Sequence, residues 1–173
     1  MIENLDQNQI IFIIIAMAVS AVPVGFMAGL FGIGGGLITV PVLFYIFNSV
    51  GLDQTFIMHL AIGTSFAIII PTSISSVLTH MKYKAVDFDV VKTFGVFVIL
   101  GVVLGTIFAA NLKTSGLVLF FSIMTMIFSL FFLISKEKPN PVKRKINLFI
   151  KILSGFTSGF LSAPMGIGGG IIN

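Results

Sequence analysis

Two five-residue clusters, Gly32-Ile33-Gly34-Gly35-Gly36 and Gly166-Ile167-Gly168-Gly169-Gly170, are the residues of this chain best suited to hold a ligand. Each interior glycine costs a helix roughly 1 kcal/mol relative to alanine, so clusters this dense interrupt helices rather than build them. What they expose is backbone N–H, which a bilayer tolerates only where protein covers it or where it lines a wet cavity. Thr64 and Ser65 follow Gly63 in another apolar stretch and add hydroxyl donors at membrane depth. Bare amides, hydroxyls and helix N-termini all present partial positive charge, so the solute they suit is a small anion. A cation would meet no countercharge, because no Asp, Glu, Lys or Arg falls in the middle of an apolar span.

Other chemistries fail on residue type. The chain has no cysteine, which removes disulfides and thiolate metal sites. No Ser/His, His-rich or paired-carboxylate group lies within a span, so no enzyme, cofactor or metal centre is expected. His59 and His80 stand near the two ends of one span and read as interfacial residues rather than proton carriers. A Walker A loop requires Gly-Lys-Ser/Thr, whereas Leu37 follows Gly36. A dinucleotide fingerprint requires a third glycine three residues after Gly34, where Leu37 stands, and a βαβ setting that no span supplies. The competing reading is that the glycines are packing surfaces between helices. For the hydroxyls it is a bond to the carbonyl one turn back, which is the expectation for Ser75, Ser76 and Thr79.

The elements that must position these residues are membrane helices. At 57% hydrophobic and 9% charged residues, with a mean hydropathy of +1.14, the 173-residue chain cannot coat a soluble globule. The net charge of +4 does not imply nucleic acid. Its basic residues concentrate in two loops, with Lys82, Lys84 and Lys92 in one and Lys136, Lys138, Lys143, Arg144 and Lys145 in the other. That positive-inside pattern makes loops 80–92 and 136–145 cytoplasmic. Residues 10–31 form the first span, about 33 Å of helix, with Ala21, Gly25 and Gly29 as a small-residue stripe and a kink expected at Pro23. Residues 37–47 are short for a crossing, and Pro41 is expected to interrupt them. Residues 56–77 follow, carrying six hydroxyls around Pro71. Residues 93–110, with Gly101 and Gly105, and residues 115–135 read as scaffold.

The pattern then restarts. A shift of 134 residues lays Gly25-Phe26 on Gly159-Phe160, Gly29 on Ala163 and one glycine cluster on the other. The expected division is therefore a first repeat with its basic linker over 1–143 and the start of a second repeat over 144–173. Equal repeats would require roughly 100 residues beyond Asn173, so the sequence reads as a fragment or an early stop. If 37–49 crosses fully, an outside N-terminus puts both basic loops in the cytoplasm and inverts the second repeat. If the glycine hairpin is re-entrant, the N-terminus moves inside and the repeats run parallel. The acidic N-terminal stretch favours the inverted arrangement.

The run from Gly29-Leu30-Phe31 through the first glycine cluster to Val40-Pro41, the segment from Gly63-Thr64-Ser65 to Pro71-Thr72-Ser73 with His80 and Val86-Asp87, and the second cluster together resemble the TauE/SafE sulfite exporter family. The resemblance covers residues 24–87 and from 155 onward. It implies a polytopic inner-membrane carrier of sulfite, sulfonates or related organosulfur anions. The combined expectation is an all-α polytopic membrane protein with an internal repeat and glycine-broken helices. Its solute site is built from Gly32, Gly34, Gly35, Gly36, Thr64, Ser65, Gly166, Gly168, Gly169 and Gly170. Its partners are a small anionic solute and the lipid bilayer, with no nucleic acid; a homo-oligomer is compatible with the stripes. The alternative is a non-transporting membrane subunit that docks a partner through glycine-rich helix faces.

Overall fold

The computed structural model describes residues 6–31, 35–83, 88–134 and 148–167. Six helices account for nearly all of them: α1 (Gln7–Phe31), α2 (Gly36–Ser49), α3 (Ile57–Lys82), α4 (Phe88–Asn111), α5 (Thr114–Ile134) and α6 (Leu148–Met165). Among the described residues there is no strand, as the composition requires. Four of the helices, α1, α3, α4 and α5, are long and apolar enough to cross a membrane. The chain is a polytopic membrane protein, and many of its Ile, Leu, Val and Phe side chains are exposed.

Two sequence expectations change in detail. Pro41 does not interrupt α2, which runs unbroken for 14 residues. As the sixth residue of α2, Pro41 leaves the Leu37 carbonyl without its helical donor, but Val40 and Leu43 on either side are buried in the core and the helix continues through it. The helix of the third span also continues past His80 to Lys82, where Tyr83 N–H reaches the Thr79 carbonyl at 3.3 Å. Linker residues 136–145 lie outside the described residues.

Side-chain bonds tie one end of the bundle together. Gln9 Nε2 donates to the Val50 carbonyl at 3.2 Å, joining the start of α1 to the loop after α2. Thr114 Oγ1 donates to the Thr55 carbonyl at 2.6 Å, and His59 Nε2 lies 3.2 Å from the Ala109 carbonyl. The start of α1, the α2–α3 loop and the α4–α5 turn therefore share one end, so α2 returns the chain to the end where α1 began. The end of α3, the start of α4 and the end of α5 lie at the other end.

The tightest seam lies between α4 and α6. A Cβ on Gly155 would sit 3.2 Å from the Phe94 carbonyl, one on Gly159 would sit 3.0 Å from Val102 N, and one on Gly105 would sit 2.9 Å from the Ala163 Cβ. Contacts advance in the same direction along both helices, so α4 and α6 are parallel. Small residues at four-residue spacing permit this approach, which in a bilayer is driven by packing rather than by hydrophobic exclusion. The matching stripe on α1 is bare: Gly25 and Gly29 meet nothing within 4 Å. With α3 leaving the tied end as α1 does and α6 approaching it, the repeat-matched helices α1 and α6 run in opposite senses through the bundle.

Candidate functional site: the glycine junction

Helix α2 begins at the first glycine cluster, with Gly35 as its N-cap and no side chain capping it. The first-turn amides of a helix have no intrahelical acceptor, so this end carries partial positive charge. Thr39 Oγ1 and the Thr39 N–H both donate to the Gly35 carbonyl, at 2.7 and 2.9 Å, and hold the turn in place. Helix α1 reaches Phe31 and α2 starts at Gly36 and runs back toward the end where α1 began, with residues 32–34 between them outside the described set.

Helix α6 ends on the second cluster. Gly166 adopts φ +62°, a left-handed conformation that residues with a Cβ disfavour. Its N–H donates to the Ala163 carbonyl at 3.3 Å and the Ile167 N–H to the Ser162 carbonyl at 3.1 Å. This is the Schellman closure, which satisfies carbonyls that the end of a helix leaves open. The remaining Gly166 carbonyl accepts from Ser65 Oγ at 2.9 Å, and Ser65 is only 1% exposed.

The two clusters meet here. A Cβ on Gly36 would collide with the Gly166 carbonyl and lie 2.8 Å from the Ile167 Cα, while one on Gly166 would lie 2.8 Å from Val40 Cγ2. Gly36 and Gly166 therefore allow two backbones to touch, and the face of Gly36 toward α6 is filled by protein. The pair related to this contact by the repeat, Gly32 with Gly170, lies outside the described residues, as do Gly34, Gly168 and Gly169.

Two cavities flank the junction. One, of about 400 Å³, opens between α1, α2 and α3 and is lined by Ser20, Gly25, Gly35, Thr39, Ser65 and Thr72 among apolar neighbours. The uncapped start of α2 gives onto it through Gly35. Each of its four hydroxyls already donates to a backbone carbonyl: Ser20 to Met17 at 3.1 Å, Thr39 to Gly35, Ser65 to Gly166 and Thr72 to Ile69 at 2.9 Å. The other cavity, of about 620 Å³, lies between α3, α4 and α6 and is lined by Phe66, Ser158, Ser162, Ala163 and Ile167 among others. Ser65 borders the first and Ile167 the second, so the junction is the wall between them. Among the described residues, no charged or histidine side chain lines either cavity.

Of the predicted site residues within the described set, Gly35 and Ser65 line the first cavity, while Gly36 and Gly166 form the junction beside it. Thr64 is half-buried and does not line that cavity. Thr79 Oγ1 bonds back to the Ser75 carbonyl at 2.9 Å, as expected. His59 stands at the tied end of the bundle, its Nδ1 buried without a partner among the described residues. Ser20, Thr39, Ser158 and Ser162 are residues that sequence reasoning passed over. For the last two a signal existed, because the 134-residue shift lays Ser158 on Val24 and Ser162 on Ala28.

Residues 16–173 match the family model for the sulfite exporter TauE/SafE. The chain belongs to the TauE/SafE family. Among curated relatives of this TauE/SafE chain, a probable membrane transporter protein of Haemophilus influenzae is 31% identical over 159 residues, covering 92% of this chain and 60% of the relative. One from Methanocaldococcus jannaschii is 31% identical over 150 residues, 86% of this chain and 55% of the relative. A third, from Bacillus subtilis, is 29% identical over 165 residues, 84% of this chain and 60% of the relative. The TauE/SafE chain thus spans a little over half the length of these relatives. No solved structure matches it.

Proposed function

We propose that this TauE/SafE chain carries small anions, of the sulfite, sulfonate or related organosulfur class, across the cell inner membrane, holding the solute beside the glycine junction. The observation that carries the reading is that two repeat-matched helix breaks, far apart in sequence, meet through Gly36 and Gly166 with Ser65 tying them. Carriers with inverted repeats place their solute where broken helices face one another, with half-helix N-termini toward the anion. The start of α2 and Gly35 are such a group, and they open on a cavity large enough for a small oxyanion. Gly32, Gly34 and Gly168 to Gly170, which lie outside the described residues, are proposed to contribute amides beside them, whereas Thr64 stands outside this cavity. With the basic loops in the cytoplasm, the tied end that holds the start of α1 faces outward.

The test is efflux of sulfite from cells expressing the chain. At Gly35 an added Cβ meets only Thr39 Oγ1 at 3.5 Å, an ordinary contact, so Gly35→Leu fits the fold while its longer side chain fills the cavity. Efflux is expected to vanish in Gly35→Leu, and in Gly34→Leu, with membrane insertion intact. Unchanged efflux in both would reduce the glycines to packing. One observation favours a second reading, a non-transporting subunit: the open stripe at Gly25 and Gly29 could dock another helix. Co-purification with a fixed partner, together with no anion flux, would favour it.

A further inference from the structure

We propose that Ser158 and Ser162 form an oxyanion subsite in the cavity between α3, α4 and α6, across the glycine junction from the start of α2. Ser162 is 7% exposed, and its Oγ is buried with no hydrogen-bond partner among the described residues. Ser158, one turn earlier and 4% exposed, lines the same cavity, and no described group bonds its hydroxyl. Helical serines and threonines ordinarily donate to a carbonyl one turn back. On this same helix Ser154 donates to the Ile150 carbonyl at 2.7 Å and Thr157 to the Leu153 carbonyl at 2.8 Å. The hydroxyls of Ser158 and Ser162 do not, and buried polar groups without a partner are rare enough to call for one.

The geometry selects an anion. Residues four apart on a helix hold their Cβ atoms about 5–6 Å apart, a gap that one oxyanion bridges by accepting a hydrogen bond from each side. At the end of α6 the Ser162, Ala163 and Gly166 carbonyls already accept from Ile167, Gly166 and Ser65, which reduces the negative charge that this end presents to the cavity. In the α1 cavity the hydroxyls have all donated to backbone, so they offer an anion only lone pairs. The matching positions on α1 are Val24 and Ala28, and the repeats therefore differ in chemistry where they agree in shape. The subsite rests on the anion reading above and adds the side chains that select the solute.

Equilibrium dialysis of the purified full chain against radiolabelled sulfite tests it. The double variant Ser158→Ala, Ser162→Ala is expected to bind at least about tenfold more weakly, the scale of two lost bonds to a charged acceptor. A control, Ser154→Ala with Thr157→Ala, is expected to bind as wild type, and Ser158→Thr to retain binding. Wild-type affinity in the double variant overturns the subsite and leaves the anion reading standing. No binding to the wild-type chain overturns both. Should the double variant fail to fold, Ser158→Cys supplies the sole thiol of a cysteine-free chain. Methanesulfonate is then expected to slow its alkylation by N-ethylmaleimide several-fold, and either unprotected alkylation or none overturns the proposal.

Discussion

At the residue scale, identical glycines do opposite things. Gly36 has the backbone of Gly166 and Ile167 against its face, whereas Gly25 has open space. Gly36→Ala is therefore expected to lower stability by about 1–3 kcal/mol through overpacking. Gly25→Ala is expected to be neutral or to gain up to about 1 kcal/mol of helix propensity. Thermal melts of both in detergent check the contrast, and equal losses would contradict it. The glycines were legible as helix breaks from density alone, but which of them touch depends on partners more than 100 positions away, and local pattern carries no such information. That the hydroxyls of Ser158 and Ser162 have no partner among the described residues was hidden for a related reason, since a helical serine looks the same in sequence whether or not it bonds to its own backbone. In the loop before α3, the Thr55 N–H donates to Asp53 Oδ1 at 2.8 Å and, with the Thr55 hydroxyl, holds that carboxyl below its usual value. A depressed carboxylate stabilises the fold above its unfolded pKa, and this contribution is lost as pH falls through the lower folded value. Asp53→Asn should therefore flatten the acid limb of melting temperature against pH; an unchanged limb would contradict the assignment.

At the element scale, five apolar runs and the restart of the pattern foretold the helices closely, since a bilayer leaves the backbone few options. Pro41 was misjudged as a break because the burial of Val40 and Leu43, which packs the helix on either side of it, is not visible in the sequence. The pairing of α4 with α6 was not legible either. Gly101 and Gly105 advertise a seam without naming the helix that fills it, and that helix is separated from them by all of α5. The tie between α3 and α6 rests on the Ser65 hydroxyl and the Gly166 carbonyl. Ser65→Ala removes the donor and strands that carbonyl, a loss of about 0.6–1.7 kcal/mol for an interhelical bond in a membrane. Faster hydrogen exchange at the end of α6, with α4 unchanged, is the expected signature. Uniform exchange across both helices would place the tie elsewhere.

At the scale of the whole molecule, the arrangement is two breaks entering from opposite ends and meeting at a wall between two cavities. The opposed senses of α1 and α6 follow from the Gln9–Val50 bond and the parallel α4–α6 seam. Because the chain lacks cysteine, sole thiols at Gln54 and at Lys82 can be probed with an impermeant reagent in intact cells. Labelling of Gln54→Cys but not of Lys82→Cys is expected, and labelling of both from one side would contradict the opposed arrangement. The account as a whole turns on whether meeting helix breaks hold a small anion. Uptake of radiolabelled sulfite into proteoliposomes containing only this chain tests that most directly. The account predicts saturable uptake that Gly35→Leu abolishes while helix content is unchanged. Uptake no faster than in protein-free liposomes, or saturable uptake that ignores the substitution, would contradict it.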